Sequence, residues 1–217
     1  MGPAGVPAVT ATVPGIDVSQ HQGVIDWPAV AASGVRFAYL RALEGKDTDP
    51  TFERNRREAA SAGLLVGAYA YYRARHPARW QADLLLELLG DQLPGELPPA
   101  LDVETLDARS TIEVQAGVLG WVDRVRAACG RDPVVYTYPA FWGSELHGAP
   151  LGELARCPLW IADYRARPAP EVPRPWGQAA IWQHSGDGRC PGVAGAVDRN
   201  RWLGDEASLV AFAEGRC

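Results

Sequence analysis

The chain has 217 residues, 47% of them hydrophobic, so it is long enough to bury a sizeable core within one domain. Its formal net charge is −5 and it has no run rich in Lys or Arg, which argues against a nucleic-acid-binding or membrane-surface protein. No stretch approaches the roughly 20 consecutive apolar residues of a membrane span. We therefore expect neutral or small partners, with neither nucleic acid nor membrane among them.

The first fourteen residues, MGPAGVPAVTATVP, lack the basic start and the apolar centre of a secretion signal. They are interpreted as a trimmed mature end or an unstructured lead-in. We predict a flexible lead-in over residues 1–14 and a single domain over residues 15–217.

Short apolar runs alternate with helix-like segments along the first two thirds of the chain. Strands are predicted at 15–19, 36–43, 64–72, 99–104 and 133–138. Helices are predicted at 27–33, 50–62, 77–89 and 110–129. Gly34 and Gly63 end the first two helices, and Ser110 caps the last one. This alternation is typical of β/α units.

The last third of the chain is rich in strands and poor in helices. Three more strands are predicted at 159–164, 179–185 and 196–202, separated by loops rich in Pro and Gly. Eight strands, the first five with intervening helices, predict an α/β fold. We expect an irregular TIM-like (β/α)5(β)3 barrel whose final units have lost their helices.

The chain has an even set of cysteines without the close pairs of a zinc site: Cys129, Cys157, Cys190 and Cys217. Two disulfides are favoured, with three pairings open, because a bridge at Cys217 would hold a chain end that otherwise frays. This favours an extracytoplasmic location. The alternative is four reduced and mostly buried thiols.

Two acids end the strand predicted at 99–104. Asp102 and Glu104 lie two residues apart in LDVE, and such residues point to the same side of a strand, about 6.6 Å apart. We expect both to face the barrel axis at the strand's C-terminal end, where barrel active sites are built. Two neighbouring carboxylates resist simultaneous ionisation, so one can act as a general acid while the other stays anionic. The alternative is that both are loop acids that cap the next helix.

Two further acids lie in the first and last predicted strands. Asp17 stands in GIDVS and Asp198 in AVDRN, and strands one and eight are neighbours in a closed barrel. Four carboxylates at one barrel mouth are costly to bury, which is the pattern expected of a site that stabilises positive charge. For Asp17 and for Asp198 taken singly, the alternative is an acid that stabilises a turn.

These motifs, in this order and spacing, resemble glycoside hydrolase family 25, the N-acetylmuramidases that act as lysozymes on bacterial peptidoglycan. The resemblance spans nearly the whole chain. It is carried by GIDVSQHQGVIDW, ALEG, DPTFERN, AGLLVGAYAYY, LDVE, VVYTYPAFW, PLWIADY and AIWQHSGDGRCPGVAGAVDRNRW. It implies that the family's acids correspond to Asp17, Asp102, Glu104 and Asp198.

The resemblance implies retaining cleavage of the β-1,4 bond between N-acetylmuramic acid and N-acetylglucosamine. A pair on one strand cannot easily flank that bond from both sides, so we hypothesise that the substrate's 2-acetamido group attacks. Glu104 would protonate the leaving oxygen and Asp102 would orient the acetamido group. Asp17 and Asp198 would stabilise developing charge and tune the pair.

Aromatic residues at strand ends are candidates for stacking on sugar rings: Tyr69, Tyr136, Tyr164 and Trp182. For each, the alternative is packing in the barrel core. Glu44, the acid of ALEG, and Gln183 are further binding candidates. The chain departs from the family pattern at Leu43, at Ala70 and at His21, which leaves details of the substrate groove open.

The expected partner is the glycan strand of peptidoglycan, and we expect a secreted monomer. No cofactor and no metal are predicted, since the spacing of His76, His147 and His184 does not match a metal site. Two other functions stay open. One is a noncatalytic glycan-binding barrel, against which the complete set of acids argues. The other is a glycosidase for chitin-like polymers of N-acetylglucosamine, which fold analogy cannot exclude.

Overall fold

The computed structural model describes residues 11–90, 95–146 and 151–215. Its strands are β1 (Val13–Val18), β2 (Phe37–Glu44), β3 (Asp47–Thr48), β4 (Leu65–Tyr71), β5 (Ala100–Asp102), β6 (Val134–Thr137), β7 (Leu159–Ala162), β8 (Ile181–Gly188) and β9 (Val197–Trp202). Its helices are α1 (Trp27–Ala32), α2 (Phe52–Ser61), α3 (Ala78–Leu89), α4 (Thr111–Cys129), α5 (Pro139–Ser144) and α6 (Glu206–Ala213). Short 3₁₀ turns span Gln20–Gln22 and Leu151–Arg156.

The strands form one sheet in the order β1-β9-β8-β7-β6-β5-β4-β2-β3, and β1 also pairs with β2. The sheet is therefore closed, with β3 attached to β2 outside the ring. The predicted α/β barrel of eight strands is confirmed.

One strand of the barrel runs against its neighbours. β9 is antiparallel to both β8 and β1, whereas the other strands of the ring pair in parallel. The connection from β8 to β9 is too short for a parallel crossover, which needs a dozen or more residues. Such a connection permits a hairpin, and β9 therefore has no helix before it.

Side chains alternate between the barrel interior and the layer under the helices. The interior holds a cluster of large apolar residues, among them Phe37, Tyr39, Trp160, Ile181 and Trp202. The rings of Tyr39, Tyr69 and Tyr136 all contact Trp160. Leu209 and Phe212 of α6 join the same cluster, so this last helix, which the sequence did not predict, packs against the barrel interior.

The LDVE segment shows the same alternation. β5 ends at Asp102, and backbone pairing continues for one more residue, since the Val103 amide donates to the Tyr136 carbonyl over 3.0 Å. Leu101 and Val103 are fully buried in the layer between strands and helices. Asp102 and Glu104 are directed to the opposite side, where both line a hollow.

The expectation of two disulfides is wrong. Cys129, Cys157 and Cys190 are free, and two bridges would require at least one pair among these three; Cys217 lies outside the described residues. Cys157 instead lies 3.7 Å from a guanidinium nitrogen of Arg126, and Cys190 lies 3.6 Å from the Ser33 hydroxyl. The cysteines therefore give no support to a secreted location.

The predicted lead-in overlaps the first strand. β1 begins at Val13, two residues before the predicted boundary, and Val13 pairs with Trp202 of β9. Residues 1–10 lie outside the described part of the chain. In the described ranges, no helix combines the length and the apolar character needed to cross a membrane.

Candidate active site

A hollow of about 300 Å³ opens at the C-terminal ends of the parallel strands. All four predicted acids line it: Asp17 from β1, Asp102 at the end of β5, Glu104 just beyond it, and Asp198 from β9. This is the mouth at which barrel enzymes carry out their chemistry. We call it the acidic hollow.

Asp102 lies at the base of the acidic hollow and is only 7% exposed. Its Oδ1 is buried and accepts no hydrogen bond from any residue that the structure describes. Burial raises the pKa of Asp102 well above its usual range, and the charges of Glu104 and Asp17 raise it further. Arg41, which also lines the hollow, partly offsets this rise. An unpaired buried carboxylate oxygen is a position that a hydrogen-bond donor on a ligand would satisfy.

Glu104 is more accessible than Asp102. Burial raises the pKa of Glu104, while hydrogen bonding from the Tyr71 hydroxyl and the charge of Arg73 lower it. Because the two carboxyl groups also repel each other, one of the pair holds a proton more readily than an isolated acid would. Of the two, Glu104 is the more accessible, so it is the one from which a proton can reach a ligand.

Asp17 and Asp198 face each other across the β1–β9 ladder, where they are paired residues. Burial raises the pKa of Asp17 to about 6, and burial together with the Asp17 charge raises the pKa of Asp198 to about 8. Two facing carboxyls disfavour a second negative charge, so the pair carries less than two negative charges near neutral pH.

A network of amide side chains holds Asp17. Its Oδ2 accepts from the Gln183 side chain over 2.8 Å and from the Asn200 side chain over 2.7 Å. The Asn200 oxygen in turn accepts from the Trp160 indole over 2.8 Å. The Gln183 oxygen accepts from the hydroxyls of Tyr136 and Tyr164 over 2.9 and 2.6 Å. Asp17 is thus fixed in place from the barrel interior and from the rim.

A second and larger hollow of about 740 Å³ adjoins the first, and we call it the outer hollow. It is walled by Tyr138 and α5 on one side and by the segment that contains Arg165 and Glu171 on the other. It shares Glu104, Tyr136 and Tyr164 with the acidic hollow. Glu104 therefore stands where the two hollows meet.

Three of the four aromatic candidates line a hollow. Tyr69 lines the acidic one, and Tyr136 and Tyr164 line both. The prediction that Trp182 stacks on a sugar ring is corrected, because this residue lies on the other face of β8. There its indole donates to the Asp163 carbonyl, and the Arg201 guanidinium covers its ring. The alternation along β8 explains this, because Gln183 takes the inward direction.

Glu44 does not line either hollow. The Glu44 carboxylate pairs with Arg41 and with Arg73 instead. Gln183, in contrast, does line the acidic hollow. Of the three departures from the family pattern, only His21 lines the acidic hollow. Leu43 and Ala70 are buried in the layer under the helices, so they leave the lining of the hollows unchanged.

Among the residues that sequence reasoning missed are Arg41 and Tyr71, which line the acidic hollow, and Asn200 and Arg73, which act on Asp17 and Glu104. Tyr71 is two residues from Tyr69 on β4, and Asn200 is two residues from Asp198 on β9, so strand alternation could have found both. Arg41 and Arg73 gave no such signal, because their ion pairs with Asp49 and Asp107 form only in the folded chain.

Within the ranges that the structure describes, no group of three or more His, Cys, Asp or Glu is arranged to hold a metal ion. His76 stacks edge-on with Trp80, and His184 contacts Trp182 in the same way. His147 lies outside the described residues.

Comparison with known proteins gives consistent matches. The family model described as glycosyl hydrolases family 25 matches residues 16–193. Lysozyme M1 of Streptomyces globisporus is 36% identical, over 95% of this chain and 73% of its own length. The uncharacterized protein YegX of Escherichia coli O157:H7 is 37% identical, over 94% of this chain and 74% of its own. The crystal structure of the bacterial lysozyme from Streptomyces coelicolor superposes with a TM-score of 0.89 at 33% identity, covering 96% of this chain and all of that one.

Proposed function

The chain belongs to glycosyl hydrolases family 25 and is a glycoside hydrolase; we propose that its substrate is the glycan of bacterial peptidoglycan. The bond cleaved would be the β-1,4 bond from N-acetylmuramic acid to N-acetylglucosamine, with retention at the anomeric carbon. The relative in Streptomyces globisporus is named a lysozyme, which supports the substrate class. Because peptidoglycan lies outside the cytoplasmic membrane, the proposal also implies an extracytoplasmic site of action.

The observation that carries the proposal is the unpaired Oδ1 of Asp102 beside Glu104. An acetamido N–H would supply the missing donor. Two residues apart on one chain segment, the carboxyl groups rise from the same wall of the hollow, so they are poorly placed to flank a bond from opposite sides. The nucleophile is then the substrate's own 2-acetamido group rather than a carboxylate.

In this mechanism Glu104 gives its proton to the glycosidic oxygen as the C1–O bond breaks. The acetamido carbonyl oxygen bonds to C1 from the other face, and Asp102 holds the acetamido N–H as positive charge develops on that group. Water then attacks C1, gives a proton to Glu104 and opens the ring that the acetamido group had closed. Two inversions at C1 give net retention.

The remaining acids act on the charge of the sugar. The Asp17–Asp198 pair lies in the same hollow, and its negative charge lowers the energy of a ring that becomes positively charged at C1. Tyr69 and Tyr136 offer surfaces for the sugar within this hollow.

The two hollows suit the two sides of the scissile bond. With the N-acetylmuramic acid ring in the acidic hollow, the leaving N-acetylglucosamine extends past Glu104 into the outer hollow, beside Tyr138 and Tyr164. An acid that stands at the junction can reach the oxygen between the two sugars.

Replacement of the acid tests the proposal. Glu104→Gln should lower turnover of purified peptidoglycan by about 10³-fold or more, because a carboxamide cannot donate the proton. Asp102→Asn should also lower turnover while leaving the fold intact. The matched control is Glu53→Gln, a change at an exposed position of α2 that should leave turnover unaltered.

The readout is release of a dye from labelled peptidoglycan, with circular dichroism to check folding. Near wild-type turnover by a folded Glu104→Gln protein would refute the role of Glu104. The same assay on labelled chitin distinguishes the alternative substrate, since a chitin hydrolase would turn over that polymer at least as fast.

A further inference from the structure

Arg73 follows β4 and connects three parts of the site. Its Nε and Nη2 donate to the Glu44 carboxylate, and its Nη1 donates to Asp107 over 3.1 Å. Its Cζ lies 4.7 Å from the centre of the Tyr71 ring. A planar guanidinium with several donors in fixed directions can make all these contacts at once, which an ammonium group cannot do.

The backbone of Arg73 is fixed as firmly as its side chain. Its amide donates to the side-chain oxygen of Gln81 over 3.1 Å, and its carbonyl accepts from the side-chain nitrogen over 2.9 Å. Gln81 is buried within α3. The guanidinium is therefore held at a defined point of the barrel rim and is not a mobile surface charge.

Asp107 ties Arg73 to the segment that follows Glu104. Asp107 and Ala108 have φ angles of 49° and 61°, in a region that residues with a Cβ seldom adopt. The Asp107 side chain is only 8% exposed, and its Oδ2 has no hydrogen-bond partner among the described residues. The contact from Arg73 to Oδ1 therefore balances a buried charge that would otherwise be unpaired, and it holds a strained backbone three residues from Glu104.

Tyr71 ties Arg73 to Glu104 by a second route. The guanidinium covers the face of the Tyr71 ring, and the interaction of the Tyr71 hydroxyl with the Glu104 carboxyl lowers the pKa of Glu104. A cation over an aromatic face restrains the ring beneath it. The direction of the Tyr71 hydroxyl, and with it one contact of Glu104, depends on Arg73.

We propose that Arg73 is the positioning residue for Glu104, through Asp107 on one side and Tyr71 on the other. This inference rests on the proposed function, because it takes Glu104 as the general acid. Arg73 touches neither the scissile bond nor its sugars in this assignment. Its effect is on the orientation of the Glu104 carboxyl and on how tightly that carboxyl holds its proton.

Other groups that face Glu104 act on its charge and remain in place when Arg73 is changed. They are Asp102, Asp17, Asp198, Tyr136, Tyr138 and Tyr164. The negative charges of the acids disfavour ionisation of Glu104, whereas the positive charge of Arg73 lowers the pKa of Glu104. Removal of Arg73 leaves the acids without this opposing charge, so the pKa of Glu104 rises. Activity that needs a protonated Glu104 should then persist to higher pH.

The experiment compares Arg73→Gln, Arg73→Lys and wild type in steady-state kinetics on a soluble peptidoglycan tetrasaccharide across pH. Arg73→Gln should lower kcat by about 10- to 100-fold with KM within about twofold, since the acid is displaced while the sugar sites remain. The basic limb of its pH profile should move to higher pH. Arg73→Lys keeps the positive charge but not the planar set of donors of the guanidinium. It should therefore return the basic limb of the pH profile to its wild-type position, while kcat stays low.

Two further variants test the route through Tyr71 and the route through Asp107 separately. Both can still be measured if Arg73→Gln fails to fold. Tyr71→Phe keeps the ring under the guanidinium but removes the hydroxyl, so it should move the basic limb to higher pH. Asp107→Asn should lower kcat, and its effect should be smaller in the Arg73→Gln background than in wild type. Arg57→Gln on α2, where the side chain is exposed, is the matched control.

A folded Arg73→Gln protein with wild-type kcat and pH profile would overturn the inference. So would a rise in KM at unchanged kcat, because that would make Arg73 a substrate-binding residue. Glu104→Gln assayed in parallel keeps the two proposals apart. An active Glu104→Gln refutes the proposed function, whereas an inactive Glu104→Gln beside an unaltered Arg73→Gln refutes only the inference about Arg73.

Discussion

The four acids of the site share a residue type and a hollow but not an environment. Asp17 accepts two hydrogen bonds from amide side chains, whereas Oδ1 of Asp102 accepts none. Glu104 is bounded by Tyr71 and Arg73. In the proposed function, these differences suit Asp17 to fixed support, Asp102 to accepting a hydrogen bond from the ligand, and Glu104 to donating a proton.

The acids could be predicted from the sequence, but their partners could not. Each acid ends an apolar run, and polar side chains at the C-terminal ends of barrel strands lie at the mouth. The direction of Trp182 depended on its register in β8, and one residue decides between the hollow and the helix layer. The ion pairs of Arg73 join segments more than 25 residues apart in sequence, which no local pattern reveals.

The raised pKa of Asp198 should make the stability of the protein depend on pH. Burial and the Asp17 charge raise the pKa of Asp198 to about 8 from 3.8. Because the folded state holds this proton more tightly than the unfolded state does, the carboxyl's stabilising contribution is present below about pH 4 and is lost as the pH rises through about 8. Because asparagine does not ionise, Asp198→Asn removes this loss of stability at higher pH.

The melting temperature measures this effect. The gain of Asp198→Asn over wild type should be larger near pH 8 than near pH 4, by about 2–4 °C for each kcal/mol. Asp187→Asn, at an exposed position of the same hairpin, is the control. An equal change in melting temperature at both pH values would contradict the proposed burial of this charge.

At the scale of the elements, periodicity and turn residues were enough to locate each of the eight barrel strands. The direction of β9 and the presence of α6 were not predictable in this way. A short apolar run does not say which way its strand runs. α6 carries apolar residues on its exposed side, such as Val210, as well as on its buried side, so it lacks the polar face that marks a surface helix.

The strands β2 and β4 pack closely where Gly67 lies beside Tyr39. A Cβ on Gly67 of β4 would lie 2.4 Å from the Tyr39 ring of β2, and that ring contacts Trp160. Gly67→Ala should therefore reduce the free energy of unfolding by about 1–3 kcal/mol, since the crowded ring cannot move freely in a packed interior.

Chemical unfolding compares this variant with Gly120→Ala. Gly120 lies within α4 with open space at its Cβ position, so alanine there should stabilise the protein by about 0.5–1 kcal/mol. Opposite signs for the two variants are expected. A stabilised Gly67→Ala protein would contradict the packing of Tyr39 against β4.

Across the whole molecule, the apolar interior that stabilises the barrel is separate from the acidic mouth that holds the candidate active site. Apolar side chains fill the interior, three residues of α6 pack against them, and acids occupy the mouth at the C-terminal ends of the parallel strands. Burying these acids destabilises the folded chain, which accounts for the dense support around Asp17 and beside Glu104. The candidate site lies where two hollows join, and in the proposed function an extended glycan crosses the mouth with its scissile bond at Glu104.

The central claim is that this mouth cleaves the bond after N-acetylmuramic acid. The most direct test is mass spectrometry of the fragments released from a peptidoglycan of defined structure, after reduction of their new ends. The account predicts reduced N-acetylmuramic acid at those ends with the wild-type protein and no release with Glu104→Gln. Reduced N-acetylglucosamine ends, or release that persists with Glu104→Gln, would contradict it.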